Sequence, residues 1–329
     1  MGVKNSVLLS SGPIPAAVPA IPESDPYLVW LSRTGESIFW AGDTAWRLYR
    51  LGTPWRPNIL VPASAKPQPI DISLQESQSL LEQSCSLFLR WFSQTFAEPT
   101  DFWYILCDRY DFDALPGKMK TKIRRSQKDC VVRQVDAAWM LANAYPCYLA
   151  AYSKHKNSVP YSQSEFGKNI CVSGVDGPFA FWGAFVRDTL AAFAKLIVGN
   201  DYVTMVVFKV HPDYSASRPA YALLHEILDH YVKNESKPLN NGFRSLHHQT
   251  NMQEFLLQFG FRPVYSDLKL VYTPLASLAI RTLYPFRTWL DRIPASRIVA
   301  PLRSLVMQEQ VSRTFRDSPG KRPAVGSAH

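Results

Sequence analysis

Three apolar runs lie almost end to end in the second half of the chain: FAFWGAFVRD (Phe179 to Asp188), TLAAFAKLIVG (Thr189 to Gly199) and YVTMVVFKVH (Tyr202 to His211). Each has strand length and is rich in aromatic or β-branched residues, and Gly199-Asn200-Asp201 supplies a turn. The spacing predicts a three-strand meander, which cannot be stable until another layer covers it. Pro219 sits where first helical turns favour proline, and Ala222, Leu223, Ile227, Leu228 and Tyr231 give one apolar face as far as about Asn234. Gly242 to His248 reads as a further strand. Thr250 or Asn251 can cap a helix through Gln258, ended by Gly260, and Arg262 to Tyr272 reads as a last strand. The order β-β-β-α-β-α-β places the chain among mixed α+β folds.

The first half adds helix, strand, helix, strand, helix. Leu74, Leu80, Leu81, Leu87, Phe88, Trp91 and Phe92 recur at roughly helical spacing, so a helix is expected from Ser73 to Phe96. DFWYILCDRY (Asp101 to Tyr110) is expected to be a buried strand. After the turn signal Pro116-Gly117 comes LPGKMKTKIRRSQKD, with six cations (Lys118, Lys120, Lys122, Arg124, Arg125, Lys128) against Asp129. They fall in two helical rows around Met119 and Ile123, the pattern of a cationic helix with one apolar edge. CVVRQVD (Cys130 to Asp136) is strand-like, and Ala137 to His155 returns to helical spacing.

The closing stretch Asn251-Met252-Gln253-Glu254-Phe255-Leu256-Leu257-Gln258-Phe259-Gly260-Phe261, taken with the element order, resembles the second half of a GNAT-fold N-acyltransferase. There an Asn-led helix closes on a Gly-Phe pair before the last strand. The resemblance covers about residues 130 to 275. The basic helix ahead of it is similar to that of the branch with doubled modules, the Fem-type aminoacyl transferases and related acyltransferase-like proteins. It implies four parts: a flexible Pro-rich lead-in (1–27), a degenerate N-terminal module ending in the basic helix (28–129), a complete GNAT-like module (130–275) and a basic amphipathic extension (276–329).

The resemblance also implies transfer of an acyl group from acetyl-CoA or another acyl-CoA, used as a co-substrate with no tightly bound cofactor. The acceptor would be an amine on a small molecule or glycan precursor. In the alternatives the donor is an aminoacyl-tRNA, or the module is a catalytically silent binding or scaffold protein. In this fold parallel strands splay near Lys209 and Leu246, and the donor pairs with backbone near Val210, His211 and Pro212. Its pyrophosphate meets the helix starting near Pro219, beside Ser215, Ser217 and Arg218. The Gly-rich phosphate loop of the family is replaced by Asp213-Tyr214-Ser215-Ala216-Ser217-Arg218-Pro219. Leu256 stands where many members place a general-acid tyrosine.

His247, His248 and Asn251 follow a predicted strand at the place where the acceptor would approach, and a neutral imidazole suits the deprotonation of an ammonium nucleophile. Strand alternation lets only one of the two histidines face a cleft. The competing reading of the pair is a surface or hydrogen-bonded strand end. Tyr265 and Asp267 share a face of the last strand, where Tyr265 is a candidate acid for the leaving group and, equally, a packed aromatic. Lys209 and His211 alternate onto one face of the third meander strand.

His225, His230 and His155 fall on predicted helices, and no H-E-x-x-H or His/Asp cluster appears, so no metal is expected. Five widely spaced cysteines without a C-x-x-C pair suit a reducing, cytoplasmic compartment. Hydrolase, kinase and dehydrogenase fingerprints do not occur. With 47% hydrophobic and 13% aromatic residues the chain folds as a globule. Of its net charge of +9, Leu275 to His329 carries +6, nine Lys/Arg against Asp291, Glu309 and Asp317. This extension either packs on the core, the favoured reading through about Val306, or lies peripherally on an anionic membrane surface. From about Ser312 it offers little to bury. Nucleic acid other than tRNA has no support, because no aromatics interleave with the basic stretch.

Overall fold

The computed structural model describes residues 25–49, 58–153, 160–172, 176–244, 252–290, 293 and 299–316. Asp25 accepts the N–H groups of Tyr27 (2.9 Å) and Leu28 (3.3 Å) and so starts α1 (Pro26–Arg33), with proline in the first turn. A short meander follows: β1 (Ile38–Ala41), β2 (Thr44–Tyr49) and β3 (Ile59–Pro62). A capping box of Ser73 and Glu76 opens α2 (Leu74–Ser84).

The helix expected to reach Phe96 ends at Ser84, because Cys85 takes the left-handed conformation (φ 51°) and the apolar run behind it becomes β4 (Phe88–Trp91), parallel to β3. β5 (Thr95–Phe96) and β6 (Phe102–Cys107) follow. The basic helix is α3 (Gly117–Asp129), which buries Met119, Ile123 and Ser126 and turns its cations outward.

β7 (Val131–Val135), α4 (Ala137–Asn143), α5 (Tyr145–Tyr152) and α6 (Gln163–Phe166), the last extended by a π-turn to Cys171, lead to the expected meander. Its strands are β8 (Phe179–Val186), β9 (Thr189–Val198) and β10 (Val203–Val210). Next come α7 (Pro219–Leu228), continued by a π-turn to Asn234, then β11 (Leu239–Phe243) and α8 (Met252–Leu257). The strand expected from Gly242 therefore begins at Leu239.

The expected last strand divides at Asp267-Leu268 into β12 (Arg262–Ser266) and β13 (Lys269–Tyr272). The chain ends in α9 (Pro274–Leu283), α10 (Arg287–Leu290) and α11 (Val299–Arg316). α11 runs past Ser312, which is buried along with Val311 and is part of a seat that includes Tyr272 Oη donating to Glu309 (2.9 Å) and Arg90 donating to Gln308 (3.1 Å).

Among the described residues the strands form two sheets, β1-β2-β3-β4-β13 and β5-β12-β6-β11-β10-β9-β8-β7. Both contain a three-strand meander, a helical crossover and a parallel strand: β1-β2-β3-α2-β4 in the small sheet, β8-β9-β10-α7-β11 in the large one. In both, the strand beside the parallel one comes from the other half of the chain, since β13 pairs with β4 and β6 with β11. A cut at residue 130 would take β13 from the small sheet and β5 and β6 from the large one. The large sheet is covered on one face by α3, α7 and α8, through Ile123, Leu223, Ile227 and Phe259, and on the other by α4–α6, through Tyr148 and Phe166 against Phe193.

Candidate functional site

β10 and β11 pair at only two positions, Val203 with Leu239 and Thr204 with Asn240, and then part. The cause lies in their outer neighbours. β10 stays in register with β9 as far as Val210 opposite Ala192, through a bulge between Met205 and Val207. β11 instead follows β6: Gly242 takes φ 73°, a conformation favoured by glycine, and Phe243 stacks on Phe102 at 4.6 Å. Two asparagines close the vertex. The Asn240 amide donates to Thr204 Oγ1 (2.8 Å) and the Val203 carbonyl (3.1 Å), and the Asn241 amide donates to the Met205 carbonyl (3.0 Å). Beyond it, the inner edge of β10 from Val206 to Val210 has no strand partner among the described residues.

One side of this gap is apolar. Tyr221 of α7 and Phe255 of α8 meet edge-on at 5.2 Å, Phe208 lies 6.3 Å from Phe255, and Val210 packs with them. On the other face Lys209 places its ammonium 4.1 Å from the ring centre of Tyr152.

The mouth carries the basic features. Residues Pro212–Ser217 form a 3₁₀ turn, Arg218 is left-handed (φ 54°), and α7 starts at Pro219. His211 is engaged locally: its Nδ1 accepts the Asp213 N–H (3.3 Å) and its backbone N–H donates to the Ala191 carbonyl (2.8 Å). Ser215 is exposed, and Ser217 and Arg218 are half-buried. The end of α3 lies against this turn, with Cys130 Sγ 3.4 Å from the Ser217 carbonyl and Lys122 Nζ 3.4 Å from Tyr221 Oη. None of the six α3 cations forms an ion pair with a described residue.

Val210, His211, Pro212, Ser215, Ser217 and Arg218 thus come together at one end of the gap. His247, His248 and Asn251 lie outside the described residues. Tyr265 pairs with Trp103 and Phe96, with β6 and β11 standing between it and the gap. Leu256 is fully buried in the core. Asp267 is buried as a turn anchor, accepting from Ser93 N (2.7 Å), Ser93 Oγ (2.8 Å) and Gln94 N (3.1 Å). His225 is paired with Tyr110 at 2.7 Å, and burial holds its pKa below the usual histidine value. Sequence reasoning missed Asn240 and Asn241, although Asn-Asn-Gly after a strand-length approach is a signal of local irregularity.

Among solved structures the chain is similar to FemX, with a TM-score of 0.50 and 9% identity over 75% of this chain and 91% of that one. It also overlaps L-PGS from Bacillus licheniformis (TM-score 0.47, 10% identity, 89% and 100% covered) and a GCN5-related N-acetyltransferase-like protein from Streptococcus suis (0.36, 10%, 72% and 88%). The chain has a GNAT-type acyltransferase fold. The meander, the crossover helix and the parting parallel strands are that fold's parts, and at these identities the likeness is one of fold alone. No family model and no curated protein matches the chain.

Proposed function

We propose that this chain is an N-acyltransferase whose donor lies in the gap between β10 and β11. The observation that carries the reading is the inner edge of β10 from Val206 to Val210, which has no strand partner among the described residues. An amide-bearing arm such as pantetheine can add to it as an extra strand, over the apolar floor of Phe208, Tyr221 and Phe255. The donor's phosphates would meet Arg218, Ser215 and Ser217 at the start of α7, where unpaired N–H groups and the helix dipole favour anions. The acceptor amine would approach from the side of His247, His248 and Asn251. A neutral imidazole there takes one proton of the ammonium, the amine attacks the donor carbonyl, the imidazolium gives that proton to the leaving thiolate or alkoxide as its bond to the carbonyl carbon breaks, and the nitrogen's second proton passes to solvent to leave the neutral amide. This route needs no acid from Leu256 or Tyr265.

Acetyl-CoA or another acyl-CoA is the first donor class, and an amine-bearing small molecule or glycan precursor the acceptor. Aminoacyl-tRNA is the second donor class, favoured by one observation: a compact 3₁₀ turn replaces a glycine cradle, while the cations of α3, none in an ion pair among the described residues, lie on the helix that packs against it. The repeated meander-crossover order supports two modules near 28–129 and 130–275, with β6 and β13 exchanged between them, so that neither sheet is complete without a strand of the other half. A reducing, cytoplasmic location suits the free cysteines, of which Cys107, Cys130, Cys147 and Cys171 are buried. Among the described residues no helix is long and apolar enough to cross a membrane.

A thermal-shift screen with acetyl-CoA, desulfo-coenzyme A and an aminoacyl-tRNA tests the reading, since a ligand at a hundred times its Kd adds about 2.7 kcal/mol of stability. A shift by either donor class supports a transferase and chooses the class. No shift from any of them favours the silent scaffold.

A further inference from the structure

α9, the 3₁₀ turn Tyr284–Phe286 and α10 follow one another without a break, and this segment is apolar on two sides. Ala276, Ile280 and Leu290 are buried, as packing of the extension requires. Leu275, Leu278, Phe286 and Trp289 are not: they are 79%, 64%, 58% and 60% exposed. Their spacing, with Thr282 between, is that of a single helical stripe. Four large apolar side chains at helical spacing line one outer side of a packed segment, unlike scattered exposed leucines.

Along the segment itself, as far as Leu290 and ahead of Asp291, the charge has one sign. From Leu268 to Leu290 the sequence contains no Asp or Glu, while Lys269, Arg281 and Arg287 are present. Arg281 is exposed and pairs with no carboxylate among the described residues. Arg287 is held over the Tyr284 ring, 4.8 Å from its centre, which fixes its guanidinium beside the stripe. Phe and Trp with flanking arginines are the composition of a helix lying in a bilayer interface, where rings enter the headgroup boundary and cations meet anionic lipid.

We propose that the Leu275–Leu278–Phe286–Trp289 stripe is a docking surface for the face of an anionic lipid bilayer. The buried side of the same segment keeps α9 and α10 on the protein, so docking orients the whole molecule on the membrane without inserting a helix across it. The proposal stands on surface chemistry and is independent of which donor the gap accepts.

Vesicle co-sedimentation of the full chain tests it, comparing phosphatidylcholine with phosphatidylcholine containing phosphatidylglycerol, at low and high salt. The wild-type chain is expected to bind only the anionic vesicles and to be released by salt. Phe286→Ser with Trp289→Ser should weaken that binding about tenfold or more, given the area two aromatic rings bury, and Arg281→Gln about fivefold. Melting temperatures should stay at the wild-type value, because all three side chains are exposed. Equal vesicle binding by wild type and both variants overturns the proposal. So does a wild-type chain that ignores anionic vesicles, including one that self-associates through the stripe in light scattering.

Discussion

Lys195 sits mid-strand in β9, 5% exposed, with its ammonium 4.2 Å from the centre of the Phe179 ring and 3.4 Å from the Asn169 carbonyl. Burial pushes its pKa from 10.5 down to about 7. A depressed lysine means that the unfolded chain binds the proton more readily than the folded one between those two values. Stability should therefore rise with pH above about 7. Near pH 9 the buried thiols begin to oppose this, since Cys107 and Cys147 are pushed from 9.0 up to about 12 and the unfolded chain ionises first. Lys195→Met should raise stability at neutral pH and remove a rise of up to about 1.4 kcal/mol per pH unit between pH 7 and 8.5, as read by urea denaturation. The histidine pair belongs to the same scale. If one imidazole is the base, His247→Ala and His248→Ala should differ in transfer rate, one losing about a hundredfold or more and the other little. Equal mild losses would remove both from the chemistry. The helix start after Arg218 was legible because Pro219 favours a first helical turn. Asn240 and Asn241 were not, because their role depends on two strands parting, which no local pattern encodes.

The elements that sequence periodicity placed well are those whose neighbours in space are also neighbours in sequence, such as β8-β9-β10 and the helix α7 that follows. It failed where the chain changes sheets. Leu80, Leu81, Phe88 and Trp91 fit one helical stripe, yet the left-handed Cys85 separates the first two into α2 and the last two into β4. RPVYSDLKLVY alternates as one strand, yet its two ends pair in different sheets. Asp267 makes that switch, its carboxylate gathering Ser93 and Gln94 while Lys269 lies 3.3 Å away. Asp267→Ala should cost about 3 kcal/mol or more in chemical denaturation, because it leaves buried donors unpaired. A stable variant with reduced transfer would instead give Asp267 a role in the site.

For the whole molecule, the exchange of β6 and β13 ties the two halves together. A fragment of residues 130–275 lacks β6, the strand between β11 and β12, and should give a broad, non-cooperative melt, whereas the full chain melts cooperatively. The same exchange builds the candidate site, since β6 draws β11 away from β10 and opens the gap. The proposed function requires that this gap hold the acyl donor. The most direct measurement is a structure of the full chain bound to whichever of desulfo-coenzyme A or a non-hydrolysable aminoacyl-RNA raises its melting temperature. The donor's arm should run beside Val206 to Val210, hydrogen-bonded to the inner edge of β10, with its phosphates at Ser215, Ser217 and Arg218. A donor bound away from β10, with the gap between β10 and β11 unchanged, would contradict it.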